Sequence, residues 1–518
     1  MRATLRALKE ARWSVLAFAI AGFVVTVLQS AAYFRMAGHT FAERAAFGYS
    51  LSLQATADAV LIPPPVHPET VAGYLGLRAF EPLAIVFAAW AMVSATASTS
   101  GQALSRAAAF AISVSIAAAA ACVGVAVGVA SGGESVGGLG LGEAGLLLVA
   151  LAIACYAICL IVAQIAPAAS VVTGGLLIAL FFLNGLSRVY GQLATVRWLS
   201  PFRYYDLSMP LSPGGKFDAG GFAILLAIAS LGLALAAFVS THRLSTAPMR
   251  ITSGKPSRTT FEPSRVSLLA LPVSRDLYPQ RLALAAWSIA FAAVGVVLVA
   301  AAQASMQDLL ALPRSLPGLP QYIFVFYAQV LGQTWFDVAL LMSVAVVFAF
   351  VARWTGDDRD RRLEAALSAP YSRSRLVLER LTSLAITTAA LAALSGLAVT
   401  FTSRALDLAL DSARLADACL LLVLFSVVLG AAGSFLTSSV PRAAPALFGA
   451  IVLASYLDDQ IGGPLELPGW VQAVSPFRLV GTPLATGIDA RSVALLLLLT
   501  LVLVGSSILA MEKRDVGR

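Results

Sequence analysis

The segment RWTGDDRDRRLEAALSAPYSRSRLVLER, Arg353 to Arg380, is the densest run of charge in a chain dominated by apolar stretches. One apolar run long enough to cross a bilayer precedes it and another follows it. Asp357 and Arg361 stand four apart, as do Asp358 and Arg362. On a helix each is an i,i+4 ion pair with the acid first, the more favourable order. Leu363, Ala366 and Leu367 add a narrow apolar stripe beside those charges. Pro370 ends the helix, because it has no N–H to give and its ring clashes with the preceding turn. Tyr371 to Arg375 leads back toward the membrane. The spacing predicts a short amphipathic helix at a membrane surface, held between two spans. The plain alternative is a solvated, positive-inside loop, the usual use of such charge runs.

Composition points the same way. Of 518 residues, 59% are hydrophobic and 12% charged, and the mean hydropathy is +0.85. A soluble domain of this length needs more polar surface. Separate apolar runs of about twenty residues indicate a polytopic membrane protein. Its spans are expected to be helical, because a helix satisfies its own backbone in lipid. The short alternating strands of a barrel are not seen. The net charge of +8 lies in loops between spans, so it is ascribed to topology and not to nucleic acid. Cys122, Cys155, Cys159 and Cys419 all fall within apolar runs. Packing is the expected role of the Cys155/Cys159 pair, since no His or carboxylate lies near it in sequence. The basic start, Arg2, Arg6, Lys9 and Arg12, precedes a first run too long for a cleavable signal and is expected to lie along the inner leaflet.

Twelve runs are expected, at about 13–33, 79–99, 107–130, 144–165, 168–186, 221–241, 283–303, 335–352, 381–402, 416–436, 444–459 and 491–511. Residues 1–241 form a first six-helix half and residues 282–518 a second. A basic, Ser- and Pro-containing linker, 242–281, joins them. The N-terminus, the linker, the Arg353–Arg380 loop and the tail are all basic. Twelve spans put all four on one side, which the positive-inside rule makes cytoplasmic; eleven or thirteen would separate the two termini.

The halves echo each other. Trp13-Ser14 recurs as Trp287-Ser288, and Gln29 recurs as Gln303 at the same spacing. Ser200-Pro201-Phe202-Arg203 recurs as Ser475-Pro476-Phe477-Arg478 one residue further on, and Phe80-Glu81 corresponds to Phe336-Asp337. Six spans per half, both starting inside, imply parallel repeats about an axis along the membrane normal. The symmetry breaks at the charged segment. Its place in the first half is the short, acid-free Ser100–Arg106.

The pattern Glu364…Pro370…Arg373 after an acidic, arginine-rich cluster resembles the cytoplasmic coupling helix of ABC-type exporter permeases. The nearest resemblance is to the actinobacterial class of polyketide-antibiotic and multidrug exporters. The resemblance implies an all-α permease of two fused halves that passes hydrophobic compounds outward across the plasma membrane. It also implies a separately encoded ATP-binding cassette subunit, in two copies, that holds the ATP and Mg. No cofactor is expected on this chain itself. In that reading Asp357, Asp358, Arg359, Asp360, Arg361, Arg362, Glu364, Pro370 and Arg373 engage the partner. One coupling helix would be reduced or absent in the first half.

Candidates for the translocation path or a gate are Gln29, Gln303, Glu81, Asp337, Arg203 and Arg478. Glu81 and Asp337 stand at outer span ends, where a structural role beside Arg78 or a loop arginine competes with proton coupling. Gln29 and Gln303 suit interhelical hydrogen bonding or a central path. Each Ser-Pro-Phe-Arg copy lies between the fifth and sixth runs. In the resembling family short external helices cap the path there, and a Ser-Pro step suits the start of such a helix. The arginines suit lipid phosphate, a substrate gate or fixing of the fold. Phe181, Phe182, Phe324, Phe326, Tyr327, Phe348 and Phe350 suit a drug pocket, packing or lipid contact equally.

The sequence contains no G-x-x-x-x-G-K-[ST], H-E-x-x-H or G-x-S-x-G. Pro213-Gly214-Gly215-Lys216 only imitates a phosphate loop. Nucleotide hydrolysis on this chain is therefore not expected, and three histidines make metal chemistry a poor expectation. A second function class is a secondary drug/proton antiporter of the major facilitator type, whose cytoplasmic loop motif Gly356–Arg362 resembles in part. A membrane-embedded glycosyltransferase is a third class, with Asp458-Asp459 as its candidate pair. Membrane lipids and a hydrophobic small molecule are the remaining expected partners.

Overall fold

The computed structural model describes residues 2–57, 60–96, 103–165, 169–246, 273, 277–310, 319–359, 363–364, 372–408 and 410–514, and among these there is helix but no strand. The long helices are α1 (Arg2–Met36), α2 (Phe41–Ala57), α4 (Glu81–Thr96), α5 (Ala103–Ser131), α6 (Gly138–Ile165), α7 (Ala169–Val189) and α9 (Ala219–Thr246). They continue as α10 (Arg281–Leu310), α11 (Leu319–Arg359), α12 (Arg373–Ala405), α13 (Ser412–Ser439), α14 (Ala444–Ile461) and α18 (Ala490–Lys513). Short pieces complete the order: α3 (Val71–Leu75), α8 (Pro201–Asp206), α15 (Gly469–Ala473), α16 (Pro476–Val480) and α17 (Pro483–Thr486).

Eleven helices among the described residues are long and apolar enough to cross a membrane. The run expected at 444–459 is not one of them. It forms the 18-residue helix α14, whose last turn carries Asp458 and Asp459. Those two acids dilute its hydropathy. The basic start is also not a separate surface helix: residues 2–12 continue into the first span as one helix, α1. The polar stretch after it holds α2, whose start is fixed by a capping box. Glu43 Oε2 accepts from the His39 and Thr40 backbone N–H groups, both at 2.9 Å, and Thr40 Oγ1 accepts from Glu43 N at 3.2 Å. Those bonds hold the Glu43 carboxyl below its usual range.

Small residues set how closely the helices approach. α1 lies along α5, where the Thr26 hydroxyl donates to the Ala121 carbonyl at 3.1 Å. A Cβ on Gly124 would stand 2.6 Å from the Phe23 carbonyl oxygen, so only glycine fits there. α10 lies along α12 in the same manner. The Trp335 indole donates to Ser395 Oγ, and Ser395 Oγ donates to the Phe291 carbonyl, each at 3.1 Å. In lipid, close backbone approach and buried hydroxyls replace the hydrophobic effect as helix adhesive.

Each packing pair in the first group of spans has a counterpart in the second. α1–α5 corresponds to α10–α12, α4–α6 to α11–α13, α6–α9 to α13–α18, and α4–α7 to α11–α14. Contacts between the groups follow the same rule: α1 packs on α14, and α7 packs on α10. The Tyr190 hydroxyl donates to the Ala300 carbonyl at 3.0 Å across one of these seams. Val25 and Ala32 meet Leu457 and Ile461 across the other.

Gly124→Leu is expected to destabilise the α1–α5 seam by about 1–3 kcal/mol, the usual penalty for overpacking. Thermal unfolding of purified protein followed by size-exclusion chromatography reads this as a lowered midpoint. Gly142→Ala, where a Cβ meets nothing within 4 Å, is expected to leave the midpoint in place.

Candidate functional site

The charged segment begins inside a helix. α11 runs on from the span through Arg359, so the acidic cluster sits on its last turns. Ser372 caps α12 by accepting from Arg375 N at 3.3 Å. Between them, Leu363 and Glu364 are helical, with Leu363 buried in the second core. Asp360, Arg361, Arg362 and Pro370, and the side chain of Arg359, lie outside the described residues. The i,i+4 pairs expected with Arg361 and Arg362 lie there too.

The described partners of the two acids are on α12 and just past the end of α18. Asp358 Oδ1 accepts from Arg514 Nη2 at 2.5 Å, with side chains only 24% and 19% exposed. Arg514 Nη1 also donates to the Thr437 carbonyl at the end of α13, at 3.2 Å. Asp357 faces Arg380 of α12 at 3.9 Å, and the Arg380 guanidinium lies 5.8 Å from the Trp354 ring centroid. Arg373 closes the arrangement. Its Nη1 donates to the carbonyls of Met511, Glu512 and Arg514 at 3.0, 2.9 and 2.7 Å. Those carbonyls end α18 and have no helical N–H to accept from. A cation there also complements the negative end of the helix dipole. The ends of α11, α12, α13 and α18 are thus tied into one clasp. Residue spacing marks no pairing for Arg514, Arg380 or Thr437; the basic tail signalled only topology.

The other ends of the spans carry the path and gate candidates. Gln29 is buried, and its Oε1 accepts from the Tyr74 hydroxyl at 2.7 Å, which joins α1 to α3. Gln303 is half-buried on α10. Glu81 opens α4 directly after a π-helical turn, Gly76–Phe80. It lines a small cavity of about 40 Å³ with Tyr205, Phe80, Leu147 and the 208–212 loop. Asp337, Arg78 and Asp459 all lie within electrostatic reach of Tyr456 on α14. Asp458 beside them is buried, and neither carboxylate oxygen has a hydrogen-bond partner among the described residues.

Pro201 and Pro476 both stand at the first position of their short helices, α8 and α16. Phe202 packs edge-on against Phe181 at 5.4 Å, and Phe477 against Phe425 at 4.9 Å. The arginines that follow diverge. Arg478 is exposed, whereas the Arg203 Nε is buried with no partner among the described residues. Near Arg203, Asp206 pairs with Arg188 and accepts from Asn184 Nδ2 at 2.5 Å. Burial raises the Asp206 carboxyl above its usual range, against the pull of Arg188 and Asn184. Burial lowers the Arg197 guanidinium, and the neighbouring charges of Arg203 and Arg188 lower it further. Sequence reasoning passed over Asp206, Arg188 and Arg197, which no repeated motif marks.

Of the aromatic candidates, Phe181 meets Phe182, Phe348 meets Phe448, and Phe350 meets Trp354, all in ring contact. The side chains of Phe324, Phe326 and Tyr327 lie outside the described residues. Cys155 and Cys159 are free and buried in the first core.

With this geometry in view, comparison with known families is informative for the second half. Residues 269–511 match the family model described as "Multidrug efflux system permease Rv1217c, C-terminal domain". The second half is similar to a drug-exporter permease domain. The matched span opens within the expected linker and closes inside α18, so it covers Asp357, Asp358, Arg373, Arg380 and Thr437 of the clasp and stops short of Arg514. No curated protein matches the chain. The apolar helices and this match make the chain a multi-pass transmembrane protein with a permease-like domain.

If Asp358 and Arg514 act as one unit, their single alanine variants are not additive. A double-mutant cycle on thermal stability is expected to give a coupling of about 1 kcal/mol or more, the range for contacting residues in a charge-assisted pair. Full additivity would mean that the two charges do not support each other.

Proposed function

We propose that the chain is the membrane-spanning permease of an ATP-driven exporter of hydrophobic compounds, working with a separately encoded ATP-binding cassette subunit. The observation that carries the reading is the clasp, most of whose members fall in a region similar to a multidrug efflux permease domain. A charged segment at the end of one span is fastened to three other span ends, so a push on it reaches all four helices together. An attached motor needs such a fixture, whereas a solvated loop does not.

The counterpart packing pairs support two fused six-helix repeats of parallel orientation, with α14 as the twelfth, shorter span. The seams α1–α14 and α7–α10 are then equivalent under a pseudo-two-fold axis along the membrane normal. Both termini, the 242–281 linker and the clasp lie on the cytoplasmic side in this arrangement, and the membrane is the bacterial plasma membrane. Closure of the partner's ATP sites pushes on Glu364 and its neighbours. The clasp carries the motion into α18, and the bundle exchanges inward-facing for outward-facing packing. The chain supplies a path, not a catalytic centre. ATP and Mg belong to the partner.

Two measurements test this. The chain, purified gently from its native host, is expected to bring a soluble ATPase with it. Glu364→Arg is expected to leave folding intact and the complex ATP-hydrolysing, while ATP-dependent dye efflux from vesicles falls by tenfold or more. Efflux at the unmodified rate by that variant, or efflux by the chain with no ATPase present, would remove the lever role.

A further inference from the structure

The outer loop of the first half differs from that of the second in one informative way. Alignment on the two Ser-Pro-Phe-Arg copies sets Arg197 opposite Gln472. Gln472 Nε2 is consumed by the fold, donating to the carbonyls of Gly462 and Leu467 at 3.2 and 2.8 Å. Arg197 Nε, in contrast, is buried and has no partner among the described residues. Arg203 Nε nearby is in the same condition. A buried donor left unmade is costly, and this loop holds three, Arg197 Nε, Ser200 Oγ and Arg203 Nε, so it is short of acceptors that one from outside the chain would supply.

The charge balance says what sign that acceptor has. Arg188 and Arg203 both act on Arg197, and the carboxylate among its electrostatic neighbours is Asp206. Asp206 is already held by Arg188 and Asn184. Glu81 also lies within electrostatic reach of Asp206 and Arg188, so three arginines meet two carboxylates and the cluster keeps surplus positive charge. The surroundings say where the acceptor comes from. Val196, Trp198 and Leu199, on either side of Arg197, are all exposed, Trp198 by 58%. Trp198 and Leu199 sit on a one-turn 3-10 helix, Arg197–Leu199, beyond the end of α7, and Val196 is its N-cap. The Trp198 carbonyl accepts from the Tyr204 hydroxyl at 2.7 Å, which fixes this turn to α8. An exposed tryptophan with aliphatic neighbours at a span end belongs at the boundary of lipid and water. Guanidinium groups at that depth meet phosphodiesters, which they bind by paired charge-assisted hydrogen bonds.

We propose that Arg197 and Arg203 form a binding site for the phosphate of an anionic phospholipid, with Val196, Trp198 and Leu199 resting among its acyl chains. The site lies at the end of the first half opposite both termini. It rests on the transport reading only for which leaflet supplies the lipid. The second half has no equivalent, because Gln472 closes the corresponding loop on itself. The lipid would anchor the first half's loop, the part that Gln472 plays within the second.

Native mass spectrometry of the full chain, released from neutral detergent with defined lipid, tests this without reference to transport. The unaltered chain is expected to retain phosphatidylglycerol in preference to phosphatidylcholine of the same acyl length. Arg197→Gln, the residue found at the equivalent position of the other half, is expected to cut retention by about tenfold, the factor given by loss of one charge-assisted hydrogen bond. Arg203→Gln is expected to act in the same direction. Lys216→Gln removes an exposed cation from the same loop and is expected to have no effect. Size-exclusion profiles verify that each variant is folded. Equal retention of the two lipids, unchanged retention in both arginine variants, or an equal loss with Lys216→Gln would overturn the proposal. Full displacement of phosphatidylglycerol by excess inorganic phosphate would overturn the lipid assignment in favour of a free anion.

Discussion

One guanidinium organises the terminus-bearing end of this molecule. Arg373 gives the same nitrogen to three carbonyls at the end of α18. A helix end without partners frays into water, and a frayed α18 would release Arg514 from Asp358. The two interactions support each other, because each holds in place the backbone or side chain that the other needs. Through them the acidic end of α11 and the last span become a single mechanical body. In the transport reading proposed above, this body is what the charged segment between α11 and α12 would push against.

The membrane region follows different physics. Between the helices there is little hydrophobic drive, since lipid is as apolar as leucine, and close packing at Gly124 and Gly295 with buried Thr26 and Ser395 hydroxyls takes over. This gives stiff pairs, α1 with α5 and α10 with α12, that meet the other half through thinner seams. A change of packing at the α1–α14 and α7–α10 seams can then leave the pairs intact. The ends away from the clasp divide by charge: arginines gather around Asp206 in the first half, while Asp337, Asp458 and Asp459 gather around α14 in the second. Such a division is compatible with a pseudo-symmetric frame carrying asymmetric sites.

Much of the frame was legible in the residues alone. Apolar runs pointed to the spans, because bilayer thickness sets their length, and the two Ser-Pro-Phe-Arg copies located the short helices α8 and α16. The run at 444–459 was harder, since Asp458-Asp459 at its end lowers its hydropathy while α1, α11 and α13 cover it. The clasp was only half legible. Asp357 and Asp358 drew attention, but local spacing suggested Arg361 and Arg362 as partners. The described partners, Arg380 and Arg514, are 23 and 156 residues away in sequence, and tertiary contact of that kind leaves no periodic trace. Arg197 escaped notice for a similar reason: its distinction is an unmet hydrogen bond, which only three-dimensional placement reveals. For the first half, the family resemblance rests on the internal echo, as the matched domain covers residues 269–511.

The central claim is that the charged segment and the last span move as one. Pulsed electron paramagnetic resonance on the full chain, reconstituted with its ATPase, addresses it directly with spin labels at Gly356, where an added Cβ meets nothing within 4 Å, and Lys513 and, separately, at Arg106 and Lys513. The account predicts that ATP binding leaves the first separation unchanged and shifts the second. A first separation that changes while the second stays fixed would contradict it.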